Sequence, residues 1–273
     1  MGEHQQDRPL VLLVHGFPEY WWAWRDHIPA IAQAGFEVAA IDTRGVGGSD
    51  KTPDIVDVPT LAEDIPAIAR ALGASSVVPI GVGRGGGLAW TSAALNPDMV
   101  RGVLTFSAPH PKALSFGRTR RNSTMWRDII ATYMRPLARK GLGEEKHIER
   151  IISQWSAPGN DGAKSQAKLY AEALRLPFAA DSSIEQLRWS YMTARHVTGW
   201  RYMRIVRTPL HMPIWTVRGE LDPLLSEDAW VEDTRYARAD YRHITIDGAG
   251  HFVPEEQTAE STRIILEFLE QFN

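Results

Sequence analysis

An aspartate and a histidine each follow an apolar run of the sequence, and together their side chains could form an acid–base pair. Asp222 follows residues 213–219, and His251 lies in the loop after residues 243–248. An aspartate within hydrogen-bond reach fixes the tautomer of an imidazole and stabilises the protonated ring. These two residues are the predicted catalytic acid and base.

A glycine-rich segment has the spacing of a turn that presents a nucleophile. Residues 77–87, VVPIGVGRGGG, predict an apolar strand, a tight turn and a helix, and they match Gly-x-Ser-x-Gly with Gly83 in place of the serine. Residues 77–90 contain no Asp, Ser or Thr, so a shifted alignment of the pattern does not supply the missing group. Gly83 is therefore predicted to occupy the position of the nucleophile, and glycine has no side chain that could act as one.

The same glycines match the dinucleotide-binding pattern Gly-x-Gly-x-x-Gly over residues 81–86. Two features argue against this interpretation. The segment is not on the first predicted strand, and the next strand, residues 101–107, ends without the acid that binds ribose. A Walker-type phosphate loop would need Gly-Lys-Ser/Thr here, and the nine histidines show no metal-ligand spacing. We therefore predict no cofactor and no metal.

Two backbone amides are candidates for an oxyanion hole. Residues 15–18, HGFP, follow the first apolar run, and their glycine allows the loop to present the N–H of Phe17 toward the turn at Gly83. The N–H of Arg84, the residue after the turn, would be the second donor. For His15 we expect a hydrogen bond within the loop and no part in proton transfer.

The elements that must position these residues follow an α/β pattern. Apolar runs rich in β-branched residues alternate with helical patterns, which favours parallel strands joined by helices. Residues 111–207 differ, because Arg, Trp, Met and Tyr recur there at helical spacing without a clear strand. We predict a core of residues 1–110 and 208–273 with a helical cap, residues 111–207, inserted in it. The predicted strands are 10–15, 37–42, 77–81, 101–107, 213–219 and 243–248.

Composition restricts the class of protein. The 273 residues have a net charge of −3 with acids and bases well mixed, which argues against a nucleic-acid or anionic-lipid partner. The absence of cysteine excludes disulfides and a thiol nucleophile. The apolar run of residues 10–14 is too short for a transmembrane helix or a signal segment. A soluble cytoplasmic protein is the expectation.

Three motifs are similar to those of a known family. Residues 15–25, HGFPEYWWAWR, resemble HGFPE-x-W-x-x-W-R; residues 42–51, DTRGVGGSDK, resemble D-x-R-G-x-G-x-S; and residues 109–111, PHP, resemble the start of a cap. On these motifs, and on the order turn, acid, histidine, the chain resembles the α/β-hydrolase superfamily, most closely its epoxide hydrolase and haloalkane dehalogenase branch. The resemblance implies the α/β-hydrolase fold, with a mostly parallel sheet, flanking helices and an inserted helical cap.

The resemblance also marks where this chain departs from the family. Family members attack with an aspartate at the position of Gly83, and a histidine-activated water then hydrolyses the alkyl ester; glycine cannot form that ester. Arg84 stands where dehalogenases use a tryptophan to hold halide, which argues against dehalogenation. Gln186 stands near the place of a cap tyrosine that opens the epoxide ring, and Tyr133 and Tyr191 are candidates to replace it. The predicted pocket residues are Trp21, Tyr133, Gln186 and Tyr191.

Three functions are consistent with these residues. The first is a pseudoenzyme that binds a small apolar molecule or a protein partner without turnover. The second is a non-covalent hydrolase in which His251, oriented by Asp222, activates a water. The third is an ordinary epoxide hydrolase with an engineered substitution at residue 83. Arg84 and the missing cap tyrosine argue against the third, because engineering would change one residue. A homodimer through an exposed sheet edge is a further expectation.

Overall fold

The structure is a computed structural model that describes residues 8–51, 57–115, 141–192 and 197–273. The strands of these residues are β1, Leu10–Val14; β2, Val38–Ile41; β3, Val77–Val82; β4, Val103–Phe106; β5, Ile214–Gly219; and β6, Tyr241–Ile246. They form a six-stranded sheet in the order β2-β1-β3-β4-β5-β6, and every neighbouring pair is parallel. The predicted α/β architecture is confirmed.

Each of the six predicted strands is present, with ends that differ by up to two residues. The end strand β6 shows why: it was predicted at 243–248 and spans Tyr241–Ile246. All six residues of β6 pair with β5, from Ile214 opposite Tyr241 to Gly219 opposite Ile246. Gly248 has a φ of +66°, in the left-handed region, so the chain has left the sheet there. The pairing with β5 determines where β6 begins and ends, and these ends cannot be predicted from the local apolar pattern.

Helices connect the strands and cover both faces of the sheet. The helices of the described residues are α1, Ile28–Gln33; α2, Val58–Ala71; α3, Arg84–Leu95; α4, Pro111–Ser115; α5, Glu145–Trp155; α6, Ala167–Arg175; α7, Ala179–Met192; α8, Val197–Ile205; α9, Val253–Glu256; and α10, Thr258–Leu269. Within the described residues, no helix combines the length and the apolar composition that a membrane crossing requires.

The strand β1 shows why the sheet is buried on both faces. All five of its residues, LVLLV, are buried. Side chains alternate between the two faces of a strand. Leu10, Leu12 and Val14 therefore pack in one apolar cluster with α2 and α3, whereas Val11 and Leu13 pack in a second cluster with α1 and α10. A continuous apolar run is the pattern of a parallel strand covered by helices on both sides.

The described residues between β4 and β5 form helices and loops but no strand. We call α4 to α8 and their connections the insertion. A third apolar cluster packs Ile148, Ile152 and Tyr170 of the insertion against Phe17 and Phe252 in the loops that follow β1 and β6. The insertion thus covers the carboxyl ends of the strands. Its predicted bounds, 111 and 207, stay a prediction.

Candidate active site

The turn between β3 and α3 has a backbone that few side chains tolerate. Gly83 has φ +51° and ψ −115°. A Cβ on Gly85 would lie 2.2 Å from the carbonyl oxygen of Val14, and a Cβ on Gly81 would lie 2.3 Å from the carbonyl carbon of Gly85. Contacts this short exclude any side chain, so these glycines allow the start of α3 to approach β1 and β3. The result is a sharp strand-to-helix turn of the kind that exposes its central residue.

Asp222 and His251 form the predicted pair at the ends of β5 and β6. His251 Nδ1 lies 2.9 Å from Asp222 Oδ2. The other carboxylate oxygen, Asp222 Oδ1, accepts hydrogen bonds from the backbone N–H groups of Leu224 at 2.8 Å and Leu225 at 3.2 Å. The Asp222 side chain is fully buried, and that of His251 is 12% exposed. Because the carboxylate accepts the Nδ1 proton, His251 Nε2 is left as the basic nitrogen.

The turn and the acid–base pair meet in the tertiary structure. A Cβ on Gly83 would lie 3.3 Å from His251 Nε2. Apart from the two chain neighbours of Gly83, only the His251 ring among the described residues has atoms within 4 Å of that Cβ position. A side chain at residue 83 would therefore point directly at the basic nitrogen of His251.

The loop that carries His251 is held by groups that the sequence did not single out. Glu256 Oε2 accepts the N–H of Gly250 at 2.8 Å, and its Oε1 accepts the N–H of Phe252 at 2.9 Å. The N–H of His251 donates to the carbonyl of Trp155 at 2.8 Å, and the Trp155 ring lies edge-on to the imidazole at 5.7 Å between centroids. Glu256 follows His251 closely in the chain, but no local signal indicated Trp155, which lies in the insertion.

The loop after β1 is shaped by His15, as expected. His15 Nδ1 donates to the carbonyl of Gly16 at 2.7 Å, and Nε2 accepts the N–H of Thr43 at 3.1 Å. Burial, and secondly the charge of Arg84, lower the pKa of His15 to about 3, so the ring is neutral and both nitrogens are engaged. A cis peptide precedes Pro18 in the same loop. The role of the Phe17 and Arg84 amides as an oxyanion hole stays a prediction.

The structure brings Gln186 to Arg84 and leaves Trp21 partly exposed. Arg84 Nη1 donates to Gln186 Oε1, and Gln186 Nε2 donates to the carbonyl of Arg44 at 2.8 Å. Gln186 therefore ties the insertion to the core beside the turn. Trp21 is 37% exposed, and its N–H donates to Asp42. Its place in a pocket stays a prediction.

Two tyrosines of the predicted pocket are not described in the same detail. Tyr133 lies outside the described residues. Tyr191 is on α7, and its side chain lies outside the described part of the chain. Their predicted contribution to the pocket is therefore an expectation from the sequence alone.

Glu19 is a buried carboxyl group beside the turn, and the sequence did not predict its burial. Its side chain is 2% exposed; Oε2 accepts the N–H of Gly16 at 2.8 Å, and Oε1 has no partner among the described residues. Burial and the neighbouring Glu255 raise the pKa of Glu19 to about 8. Glu255 accepts hydrogen bonds from Arg25 at 2.8 Å and Tyr170 at 2.7 Å. Glu255 therefore carries the negative charge and Glu19 carries the proton.

The raised pKa of Glu19 predicts a pH-dependent stability. Below about pH 4.5 the carboxyl is protonated in both the folded and the unfolded chain. Between that value and about pH 8 the unfolded chain releases a proton that the folded chain keeps, so the free energy of unfolding falls as the pH rises, by up to about 1.4 kcal/mol per pH unit. Glu19→Gln removes this loss. Urea unfolding should show the variant gaining on the native chain between about pH 5 and about pH 8.

The exposed residue Glu172 provides the matched control, because Glu172→Gln makes the same chemical change on the surface of α6. The stability difference between Glu172→Gln and the native chain should stay constant with pH. A constant difference for Glu19→Gln as well would show that Glu19 is ionised in the folded chain.

The parallel sheet, the sharp turn after β3 and the Asp–His pair at the ends of β5 and β6 define the α/β-hydrolase fold. A family model described as "alpha/beta hydrolase fold" matches residues 9–133. The protein has the α/β-hydrolase fold, and its sequence is similar to the sequences of epoxide hydrolases.

Two relatives and one solved structure are similar along nearly the whole chain. The chain is 29% identical to Epoxide hydrolase 3 of Xenopus tropicalis over 266 residues, which cover 96% of this chain and 72% of the relative. It is 28% identical to Epoxide hydrolase A of Mycobacterium tuberculosis, over 96% of this chain and 90% of the relative. The crystal structure of Epoxide Hydrolase A from Mycobacterium thermoresistibile superposes with a TM-score of 0.77 and 24% identity, over 100% of this chain and 94% of that chain.

Proposed function

We propose that Gly83 holds the nucleophile position of this α/β-hydrolase, and that the protein binds a small, largely apolar molecule or a protein partner at this site without covalent turnover. The observation that carries the proposal is the direction of residue 83: its Cβ would lie 3.3 Å from His251 Nε2. A covalent hydrolase needs a carboxylate or hydroxyl at that position to form an ester. Glycine supplies neither, so the ester cannot form.

The energetic consequence is large. Removing the nucleophile of a triad enzyme costs about six orders of magnitude in turnover, although binding and oxyanion contacts alone leave roughly 10³ to 10⁴ over water. An α/β-hydrolase with glycine at this position therefore binds ligands with much of its site retained and turns them over at a rate far below that of an active relative.

Aromatic side chains around His251 support an apolar ligand. The Trp155 ring contacts the imidazole edge-on and stacks on Phe252 at 6.1 Å between centroids. Phe17 contacts Trp155, also at 6.1 Å. Apolar and aromatic walls with a few polar groups are typical of small-molecule sites. Here the polar groups would be His251 and Arg84.

A second function is favoured by the hydrogen bonding of the acid–base pair. Asp222 is oriented by two backbone amides and in turn orients His251, so the imidazole is prepared to accept a proton. In this alternative, a water in the space over Gly83 gives its proton to His251 Nε2 and attacks the substrate directly, while the amides of Phe17 and Arg84 stabilise the developing oxyanion.

A comparison of His251→Ala with the native chain distinguishes the two functions. On a panel of aryl esters and epoxides we expect the two proteins to show the same low rate, measured by product formation in a chromatographic assay. His211→Ala is the matched control, because His211 is exposed and precedes β5, whereas Asp222 follows that strand. Turnover by the native chain that is lost in His251→Ala and kept in His211→Ala would contradict the proposal of a pseudoenzyme. It would support the non-covalent hydrolase instead.

A further inference from the structure

Arg84 is a cation that forms no ion pair with any of the described residues at the candidate site. Its guanidinium donates to two neutral groups, Gln186 Oε1 and, at 3.3 Å, Thr43 Oγ1. Its Nε is buried and has no hydrogen-bond partner among the described residues. No carboxylate of the described chain lies within 4.0 Å of its nitrogens. A buried charge without a counter-ion is costly, and Arg is the side chain best suited to bind carboxylates.

The acids around Arg84 do not neutralise it. Burial keeps the Glu19 carboxyl protonated below about pH 8, so at neutral pH it carries no charge that could balance Arg84. Asp222 is engaged with His251 and two backbone amides. Burial lowers the pKa of Arg84 only to about 10, so the guanidinium is charged at neutral pH. The site therefore has room for one more negative charge.

Gly83 leaves space for that charge next to the imidazole. The position of a Cβ on Gly83 is 3.3 Å from His251 Nε2, and apart from the two chain neighbours of Gly83 no other described residue has an atom within 4 Å of it. A group at this position must be slim, because even a single carbon would contact the imidazole closely. A planar carboxylate meets this requirement better than a tetrahedral anion.

We propose that the space over Gly83 is a binding site for a small carboxylate, whose oxygens accept hydrogen bonds from the amides of Phe17 and Arg84 beside the His251 ring, while the Arg84 guanidinium balances its charge. The inference rests on the proposed function and deepens it. It names the ligand as a small carboxylic acid with an apolar remainder. The ligand thus supplies the carboxylate that an aspartate side chain at residue 83 would otherwise supply.

Titration of the native chain with sodium acetate tests the site directly. The readout is the NMR signals of the His251 imidazole, assigned with His251→Gln, and sodium chloride at the same ionic strength serves as the reference. We expect a saturable shift with acetate and none with chloride, with a Kd on the order of millimolar, as befits a ligand of so few atoms.

Three variants assign the shift to this space. In Gly83→Asp the carboxylate of the protein occupies the site, so acetate should cause no further shift. Gly87→Ala, one turn along α3, adds a methyl group with no described atom within 4 Å and should bind acetate like the native chain. Arg84→Gln should weaken acetate binding about tenfold or more, because it removes a charge-assisted interaction.

The outcomes that overturn the proposal are distinct. They are an acetate shift that does not saturate, an equal shift with chloride or phosphate, or a full acetate shift in a folded Gly83→Asp. If Gly83→Asp fails to fold, as judged by circular dichroism, an unchanged acetate affinity of Arg84→Gln overturns it instead. The titration requires no turnover. His251-dependent hydrolysis by the native chain would therefore contradict the proposed function alone, whereas a silent chain without an acetate shift would contradict this inference alone.

Discussion

Replacing Gly83 with aspartate is expected to produce a covalent hydrolase, raising the rate of epoxide opening over the native chain by as much as about 10⁶-fold. The new carboxylate would stand beside His251 Nε2, where a Cβ on residue 83 lies 3.3 Å away. Its oxygen attacks an epoxide carbon, the ring C–O bond breaks, and the alkoxide takes a proton from water. A second water, activated by His251, then hydrolyses the ester and releases the diol. Diol formation measured by chromatography gives the rate.

Two further proteins make this experiment decisive. The double variant Gly83→Asp, His251→Gln should accumulate the ester, visible in the mass spectrum as the protein plus one substrate. Gly87→Asp makes the same charge change one helical turn away and should stay inactive; a Cβ there has nothing within 4 Å beyond its chain neighbours and the backbone of α3. The positive φ of residue 83 makes the aspartate strained by about 1–3 kcal/mol, so folding is checked by thermal unfolding. A folded Gly83→Asp that neither turns over nor forms the ester would show that residue 83 is not the nucleophile position.

Gly85→Ala should be the most damaging small substitution in α3. A Cβ on Gly85 would lie 2.2 Å from the carbonyl oxygen of Val14 and 2.6 Å from that of His15. Both are main-chain atoms, so the clash is relieved only by moving α3 away from β1. We expect a loss of about 3 kcal/mol or more in the free energy of unfolding, measured with urea.

Gly87→Ala is the matched comparison for Gly85→Ala, because it makes the identical change two residues further along the same helix. Its Cβ would meet nothing within 4 Å among the described residues, and alanine is the better helix former. We expect a gain of up to about 1 kcal/mol. Equal effects of the two substitutions would mean that the close approach of α3 to β1 contributes nothing specific to stability.

Several features of the fold follow from local sequence because local physics produces them. The run LVLLV of β1 is continuously apolar, and a strand of this kind is stable only when helices cover both faces of a parallel sheet. The glycines of residues 81–86 indicated a sharp turn, because only glycine permits the backbone contacts found at Gly81 and Gly85. The strand ends were less predictable, since pairing with a neighbouring strand sets them, as β6 illustrates.

The site was predictable where a residue's place follows from the end of a strand. Asp222 and His251 come directly after β5 and β6, and the carboxyl ends of neighbouring parallel strands meet at one edge of the sheet. The order of the strands in the sheet therefore brings the two side chains together, and their hydrogen bond is 2.9 Å long. The exposure of Trp21 was not predictable in this way, because a sequence motif does not determine how much of an aromatic side chain the tertiary structure covers.

The sequence by itself determined the α/β architecture, the glycine at residue 83 and the acid and base that follow later strands. Only the tertiary structure decided that residue 83 points at His251 Nε2, that Arg84 binds neutral Gln186 and Thr43, and that Glu19 is buried and protonated. The physical reason is that strand patterns and turns arise from neighbours in the chain. Side-chain distances, burial and the charge states they impose arise from the packing of loops and insertion, which brings together residues far apart in sequence.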